Sequence, residues 1–158
     1  MSAFATARQK MVDCQVRPSD VTDFRIIDAM LMVPREMFVP ENQRGLAYLD
    51  LDLDLSAGGS QKRFLIKPAV LAKMLQAAEI AATDKVLVAG CATGYTAAVV
   101  ARLAGQVIAT ETDKGHAATA TAVASQLGLG NLIFHPADAG AGDPADGPYD
   151  VIVLDGVT

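Results

Sequence analysis

The sequence predicts an α/β protein: a parallel sheet covered by helices, preceded by a helical N-terminal extension. Three observations carry this. From Asp84 onward, short apolar runs alternate with helical patterns of about 10 to 15 residues, the spacing of βαβ units. The first of these runs breaks into a glycine-bearing turn, Gly90-Cys-Ala-Thr-Gly94, and an alanine-rich helical pattern follows. Aromatic residues make up only 5% of the chain and Trp is absent, so Ala and Leu fill the apolar positions, which suits helices packed on a sheet better than a β-sandwich.

The elements follow in order. The first 40 residues read as helical. Over residues 20–32, Val21, Phe24, Ile27, Ala29, Leu31 and Met32 form an apolar stripe that Ser19 or Asp20 is placed to cap and Pro34 to end. Residues 47–56 contain Leu-Asp-Leu-Asp-Leu-Asp-Leu, a period of two that sets the leucines on one face and Asp50, Asp52 and Asp54 on the other. Ala57-Gly-Gly-Ser60 is a turn. Pro68 opens a helix that runs to about Ala81, with Val70, Leu71, Met74, Leu75 and Ala78 facing inward. Strands are then expected over residues 86–90, 107–111, 132–135 and 149–154, and helices over 95–104 and 113–127. At 158 residues the chain is long enough for one domain, 1–158, divided into an extension of about 1–82 and a cofactor-binding core of about 83–158.

Composition narrows the function classes. With 51% hydrophobic and 20% charged residues the chain is globular and not disordered. A net charge of -5 and a pI near 4.8 argue against nucleic acid as a partner, because phosphate neutralisation needs clustered Lys and Arg. Cys14 and Cys91 are too few for a disulfide framework and match no zinc spacing, so a reducing, cytoplasmic location is expected. Neither a signal peptide nor a membrane span is indicated. Asp50, Asp52 and Asp54 resemble half of a calcium loop, but Leu55 and Gln61 stand where glycine and a bidentate glutamate are needed. His116 and His135 have no Cys or carboxylate at ligand spacing in the sequence, so no metal site is expected.

The chemistry concentrates at the glycine turn. A ligand in such a fold lies at the carboxyl ends of the strands, near the point where strand order reverses. Gly90 and Gly94 lack a Cβ, so the backbone between them, including Ala92, can approach a ligand closely. Glu111 ends the next strand about 20 residues on, where an acid accepts hydrogen bonds from ribose hydroxyls, with Thr112 beside it. Asp138, followed by Ala139, is placed to receive an adenine amino group. The turn fails the dinucleotide pattern Gly-x-Gly-x-x-Gly at its second and third glycines, which counts against NAD.

The turn instead resembles motif I of class I S-adenosylmethionine-dependent methyltransferases, usually Glu/Asp-x-Gly-x-Gly-x-Gly. Met11-Val-Asp-Cys-Gln-Val-Arg17, Val33-Pro-Arg-Glu-Met-Phe-Val-Pro40, Ala47-Tyr-Leu-Asp50 and the Pro68 helix, in this order, are similar to the protein-L-isoaspartate O-methyltransferase family. The resemblance implies a Rossmann-like fold, S-adenosylmethionine as cofactor, and methylation of the free carboxylate of an altered aspartyl residue in a damaged protein. No catalytic base is implied, because the carboxylate is ionised at pH 7 and positioning supplies most of the catalysis.

Three departures from the family pattern follow. Aligned on Pro68, Ile66 stands where a Gln-Thr-Ile-Ser segment has the serine that orients the substrate carboxylate. Losing one hydrogen bond to a charged group costs about 1.5–3 kcal/mol, roughly 10- to 150-fold in rate. Ser60, on a shifted loop, is the alternative donor. Val88 stands where motif I has an acid, and Ala92 replaces the middle glycine at little cost if its φ is negative. The family sheet is implied to have seven strands ordered 3-2-1-4-5-7-6, of which four are accounted for, so the chain reads as truncated after the fourth, with that strand exposed for association. Two rivals stand beside isoaspartyl methylation: a methyltransferase of the same lineage acting on another nucleophile, and a non-catalytic cofactor-binding module.

Overall fold

Ser2 starts the first helix: its side-chain oxygen accepts from the Ala5 N–H at 3.1 Å, and α1 runs Ala3–Met11 in the computed structural model, which describes residues 2–56 and 61–155. α1 continues into a π-helical turn, Val12–Val16, and a 3-10 turn, Arg17–Ser19, ended by Asp20 in the left-handed region at φ 61°. Asp20 and Ser19 therefore do not cap the next helix. Asp23 does, accepting from the Arg25 N–H at 2.9 Å, and α2 spans Phe24–Met32. Its inward face is Ile26, Ile27, Ala29 and Met30, while Phe24 and Met32 are 72% and 57% exposed. Of the expected stripe, Val21, Ile27 and Ala29 are buried and Leu31 packs against the core, whereas Phe24 and Met32 face outward and Ile26 and Met30 take the inward positions beside Ile27 and Ala29.

The Leu-Asp alternation also shortens. Only β1 (Leu53–Asp54) pairs, antiparallel to β2 (Phe64–Leu65), while residues 49–52 bend and Leu49 is exposed. Asp54 accepts from the local Ser56 N and Asp52 from Lys67 N at the start of α3, at 2.8 Å each. The turn at residues 57–60 lies outside the described residues. α3 runs Pro68–Ala78, short of Ala81, because Glu79 takes a left-handed conformation at φ 50°. Leu71, Ala72 and Leu75 are buried, whereas Val70 and Met74, expected inward, are exposed.

The second half builds the sheet. β3 (Lys85–Ala89), α4 (Tyr95–Ala101), β4 (Gln106–Thr110), α5 (Lys114–Gln126), β5 (Leu132–His135) and β6 (Val151–Leu154) follow the expected alternation, with ends shifted by a few residues. The strands are parallel in the order β5-β4-β3-β6, equivalent to 3-2-1-4, with Val86 opposite both Val107 and Val151. Strand order reverses between β3 and β6, so their carboxyl ends flank the switch point. Every residue of α4 is buried, because this helix lies between the sheet and the N-terminal helices; an all-apolar sequence with two hydroxylated residues fits that position.

The motifs that carry the family resemblance interlock. Arg35 is fully buried: its Nε donates to Ala47 O at 2.6 Å, its Nη2 to Ile66 O at 2.8 Å, and its guanidinium lies 4.8 Å from the Tyr95 ring centroid. Tyr48 Oη accepts from Arg35 N and Arg8 Nε and donates to Glu36, which pairs with Arg8 at 3.2 Å. Gln15 Nε2 donates to Tyr48 O at 2.8 Å, and Phe38 meets Tyr95 edge-on with ring centroids 5.5 Å apart. The block that carries the resemblance is thus a lock between the extension and α4, joined at Ile66 O to the chain entering α3.

Candidate functional site

The glycine turn follows β3 and places three consecutive alternate residues at positive φ: Gly90 at 70°, Ala92 at 49° and Gly94 at 96°. The first and last suit glycine. Ala92 does not: its φ is positive, contrary to the expectation that alanine costs little there, and a left-handed L-residue costs roughly 1–2 kcal/mol. Gly94 also has a packing reason, since a Cβ there would stand 2.9 Å from Ala120 Cβ on α5. Val88, at the position of the motif I acid, is fully buried in β3 opposite Ala109 and Val153, so no polar group reaches the turn from it.

Glu111 is 2% exposed, and its carboxylate is already engaged. Oε1 accepts from Ala92 N at 2.7 Å, and Oε2 accepts from Thr112 N and Asp113 N at 2.9 Å each and from Arg63 Nη2 at 2.5 Å. The first contact explains how Ala92 is held at positive φ: its N–H is anchored to a buried charge. Arg63 also donates to Gly90 O at 3.2 Å, so its guanidinium spans from the acid to the turn. Sequence spacing found Glu111 but missed Arg63, which comes from 48 residues earlier through the β1–β2 hairpin.

The other expected residues are more open. Asp138 is exposed, with Oδ1 accepting from Gly140 N at 2.8 Å, and Ala139 is half-buried beside it. Thr112 is exposed and contributes its backbone N–H. Ile66 is half-buried, with its carbonyl on Arg35. Ser60 lies outside the described residues. Cys91 is 1% exposed, and burial, reinforced by Glu111, pushes its thiol pKa up; it is a packed residue of the turn. A cavity of about 260 Å³ reaches the turn from the α5 side, lined by Leu55, Thr93, His116 and Thr119 among others. Thr93 Oγ1 and His116 Nδ1 are buried there without a hydrogen-bond partner among the described residues.

Two further features lie outside the sequence expectations. Asp155, at the carboxyl end of β6 on the switch point, accepts from Thr96 Oγ1 at 2.9 Å, and burial pushes its pKa up to about 7. An acid ending a strand next to the first strand was the available signal. His135 Nε2 lies 3.0 Å from Asp146 Oδ2 and 3.9 Å from Asp143 Oδ2, a grouping that the loop between β5 and β6 brings together and sequence spacing did not show.

The family described as protein-L-isoaspartate(D-aspartate) O-methyltransferase (PCMT) matches residues 6–157. The chain belongs to this family. A protein-L-isoaspartate O-methyltransferase of Roseiflexus sp. (strain RS-1) is 37% identical over 151 residues, 96% of this chain and 67% of the relative. Protein-L-isoaspartate O-methyltransferase 1 of Rhodopseudomonas palustris (strain HaA2) is 37% identical over 153 residues, 97% of this chain and 61% of the relative. A solved protein-L-isoaspartate O-methyltransferase superposes with a TM-score of 0.82 at 28% identity, covering 93% of this chain and 47% of that one. A Plasmodium falciparum structure in complex with S-adenosyl-L-homocysteine has the same fold, with a TM-score of 0.71 at 16% identity, covering 98% and 73%. The chain therefore spans 61–67% of these curated relatives and about half of the 28%-identical solved structure.

Proposed function

We propose that the protein transfers the methyl group of S-adenosylmethionine to the free carboxylate of an L-isoaspartyl or D-aspartyl residue in a damaged protein, as a step of protein repair in the cytoplasm. Membership of the family across residues 6–157 carries this reading. The residues fit the cofactor in kind and placement: a backbone turn of positive φ at the switch point, and a buried acid at the end of the neighbouring strand. Gly90, Ala92 and Gly94 would face the cofactor, Glu111 and Thr112 its ribose, and Asp138 and Ala139 its adenine. When bound, the cofactor supplies an activated methyl group on a sulfonium.

What the chain has to supply is position. The acceptor carboxylate has an ordinary pKa near 4 and is ionised at pH 7, so no general base is needed. Holding it in line with the methyl group and excluding water account for the catalysis. Support for a reducing location comes from two free cysteines, and no helix among the described residues is long and apolar enough to cross a membrane. The exposed face of β6, with Ile152 58% and Leu154 54% exposed, is the surface we assign to association.

Ile66 favours a second reading, a methyltransferase of the same lineage with another acceptor. An alkyl group there offers no hydrogen bond to a carboxylate, and its backbone carbonyl is taken by Arg35. Calorimetric titration with S-adenosylhomocysteine tests the cofactor: absence of binding sinks both readings. Incubation with labelled cofactor and an isoaspartyl peptide separates them. Base-labile methyl ester supports the first, and cofactor binding without ester formation favours the second.

A further inference from the structure

We infer that Arg63 is an internal competitor for the nucleoside end of the cofactor site, a residue that sets cofactor affinity by occupying the acceptor that ribose hydroxyls would use. The inference rests on the cofactor reading above. A carboxylate offers about four acceptor positions over its two oxygens. Glu111 receives Ala92 N on Oε1, and Thr112 N, Asp113 N and Arg63 Nη2 on Oε2. Three of these donors are backbone groups fixed by the strand end and the turn. Arg63 is the only side chain among them, and so the only donor that can leave by rotation. Its second contact, Nη1 to Gly90 O, lays the guanidinium across the turn that a ligand has to approach. With side-chain exposures of 13% for Arg63 and 1% for Glu111, the pair is shielded from water, so its attraction is not screened away as on a surface.

Arg63 is itself held in place. Its N–H donates to Ser56 Oγ at 2.8 Å and its carbonyl accepts from Leu55 N at 2.8 Å, which aims the side chain from the β1–β2 hairpin into the site. Ligand binding at Glu111 must therefore exchange one hydrogen-bond donor for another, and the guanidinium must turn out towards solvent.

Titration of S-adenosylhomocysteine into the chain and its Arg63→Ala and Arg63→Lys variants, with melting curves to verify folding, tests this. Removing the guanidinium leaves Glu111 on three backbone donors, and Arg63→Ala is expected to bind at least tenfold more tightly, roughly 1.4 kcal/mol. Arg63→Lys, which lacks the planar fork, is expected to lie between and serves as the readout if the alanine variant does not fold. Equal or weaker binding by the variants overturns the competition while leaving the cofactor reading intact. Absence of binding by all three overturns both.

Discussion

Replacing Gly94 with alanine tests whether the turn is shaped by its own packing as much as by any ligand. Gly94 has φ 96°, and a Cβ there would stand 2.9 Å from Ala120 Cβ and 3.3 Å from Ala120 Cα. Apolar carbons rest at about 3.5–4.0 Å, so the added methyl overlaps a neighbour on a buried face of α5 that has no flexible end to yield. The positive φ costs an L-residue roughly 1–2 kcal/mol, and overpacking adds about 1–3 kcal/mol. Alanine's stiffer unfolded chain returns about 0.4–1 kcal/mol. The net is a loss of roughly 1–5 kcal/mol, which at about 2–4 °C per kcal/mol for a chain of this size lowers Tm by about 2–20 °C. Thermal unfolding of Gly94→Ala, Ala120→Gly and the double variant reads both parts. Removing the Ala120 methyl relieves the overlap but not the backbone strain, so the double variant is expected to be more stable than the sum of the singles by about 1 kcal/mol or more. A Gly94→Ala protein melting within about 1 °C of the parent, or a coupling near zero, would refute the packing account.

Three further outcomes are expected. Asp155 has its pKa raised from 3.8 to about 7, so the folded state takes up a proton between those values; its stabilising contribution is complete below about pH 4 and is lost as pH rises through 7. Urea unfolding of the parent and Asp155→Asn from pH 4 to 8 should show the parent losing up to about 4 kcal/mol relative to the variant, and a pH-independent difference would contradict this. Arg35→Met keeps much of the volume but strands the carbonyls of Ala47 and Ile66, for an expected loss of about 2–4 kcal/mol by urea unfolding; unchanged stability would mean that both carbonyls find other donors. Thiol titration of the native chain should label Cys14, which is exposed, and leave Cys91 unreacted until denaturant is added, whereas rapid labelling of both would place Cys91 at an open surface.

Much of the core could be read in advance because its signals are local. Short apolar runs punctuated by Asp84, Gly90, Gly105 and Gly130 predict the strands, and residues 132–135 form β5 as expected. The N-terminal half was harder to read. Val21, Phe24, Ile27, Ala29, Leu31 and Met32 match a helical period, yet only Val21, Ile27 and Ala29 are buried, while Phe24 and Met32 face outward and Ile26 and Met30 pack inward. The alternation of leucine and aspartate predicts a longer strand than forms, since β1 has a partner only at Leu65 and Phe64.

For the site, the chain order alone placed the turn, the acid ending the next strand and the family block around Arg35, because each is a short motif with a fixed spacing. Tertiary structure decided what those groups face. Arg63 reaches Glu111 across 48 residues, Gly94 is required by Ala120 on another helix, and Ala92 holds a positive φ with its N–H on a buried carboxylate. Periodicity reports which side of an element is apolar. It carries no information about which remote donor fills a given acceptor, and at this site that donor decides what is left for a ligand.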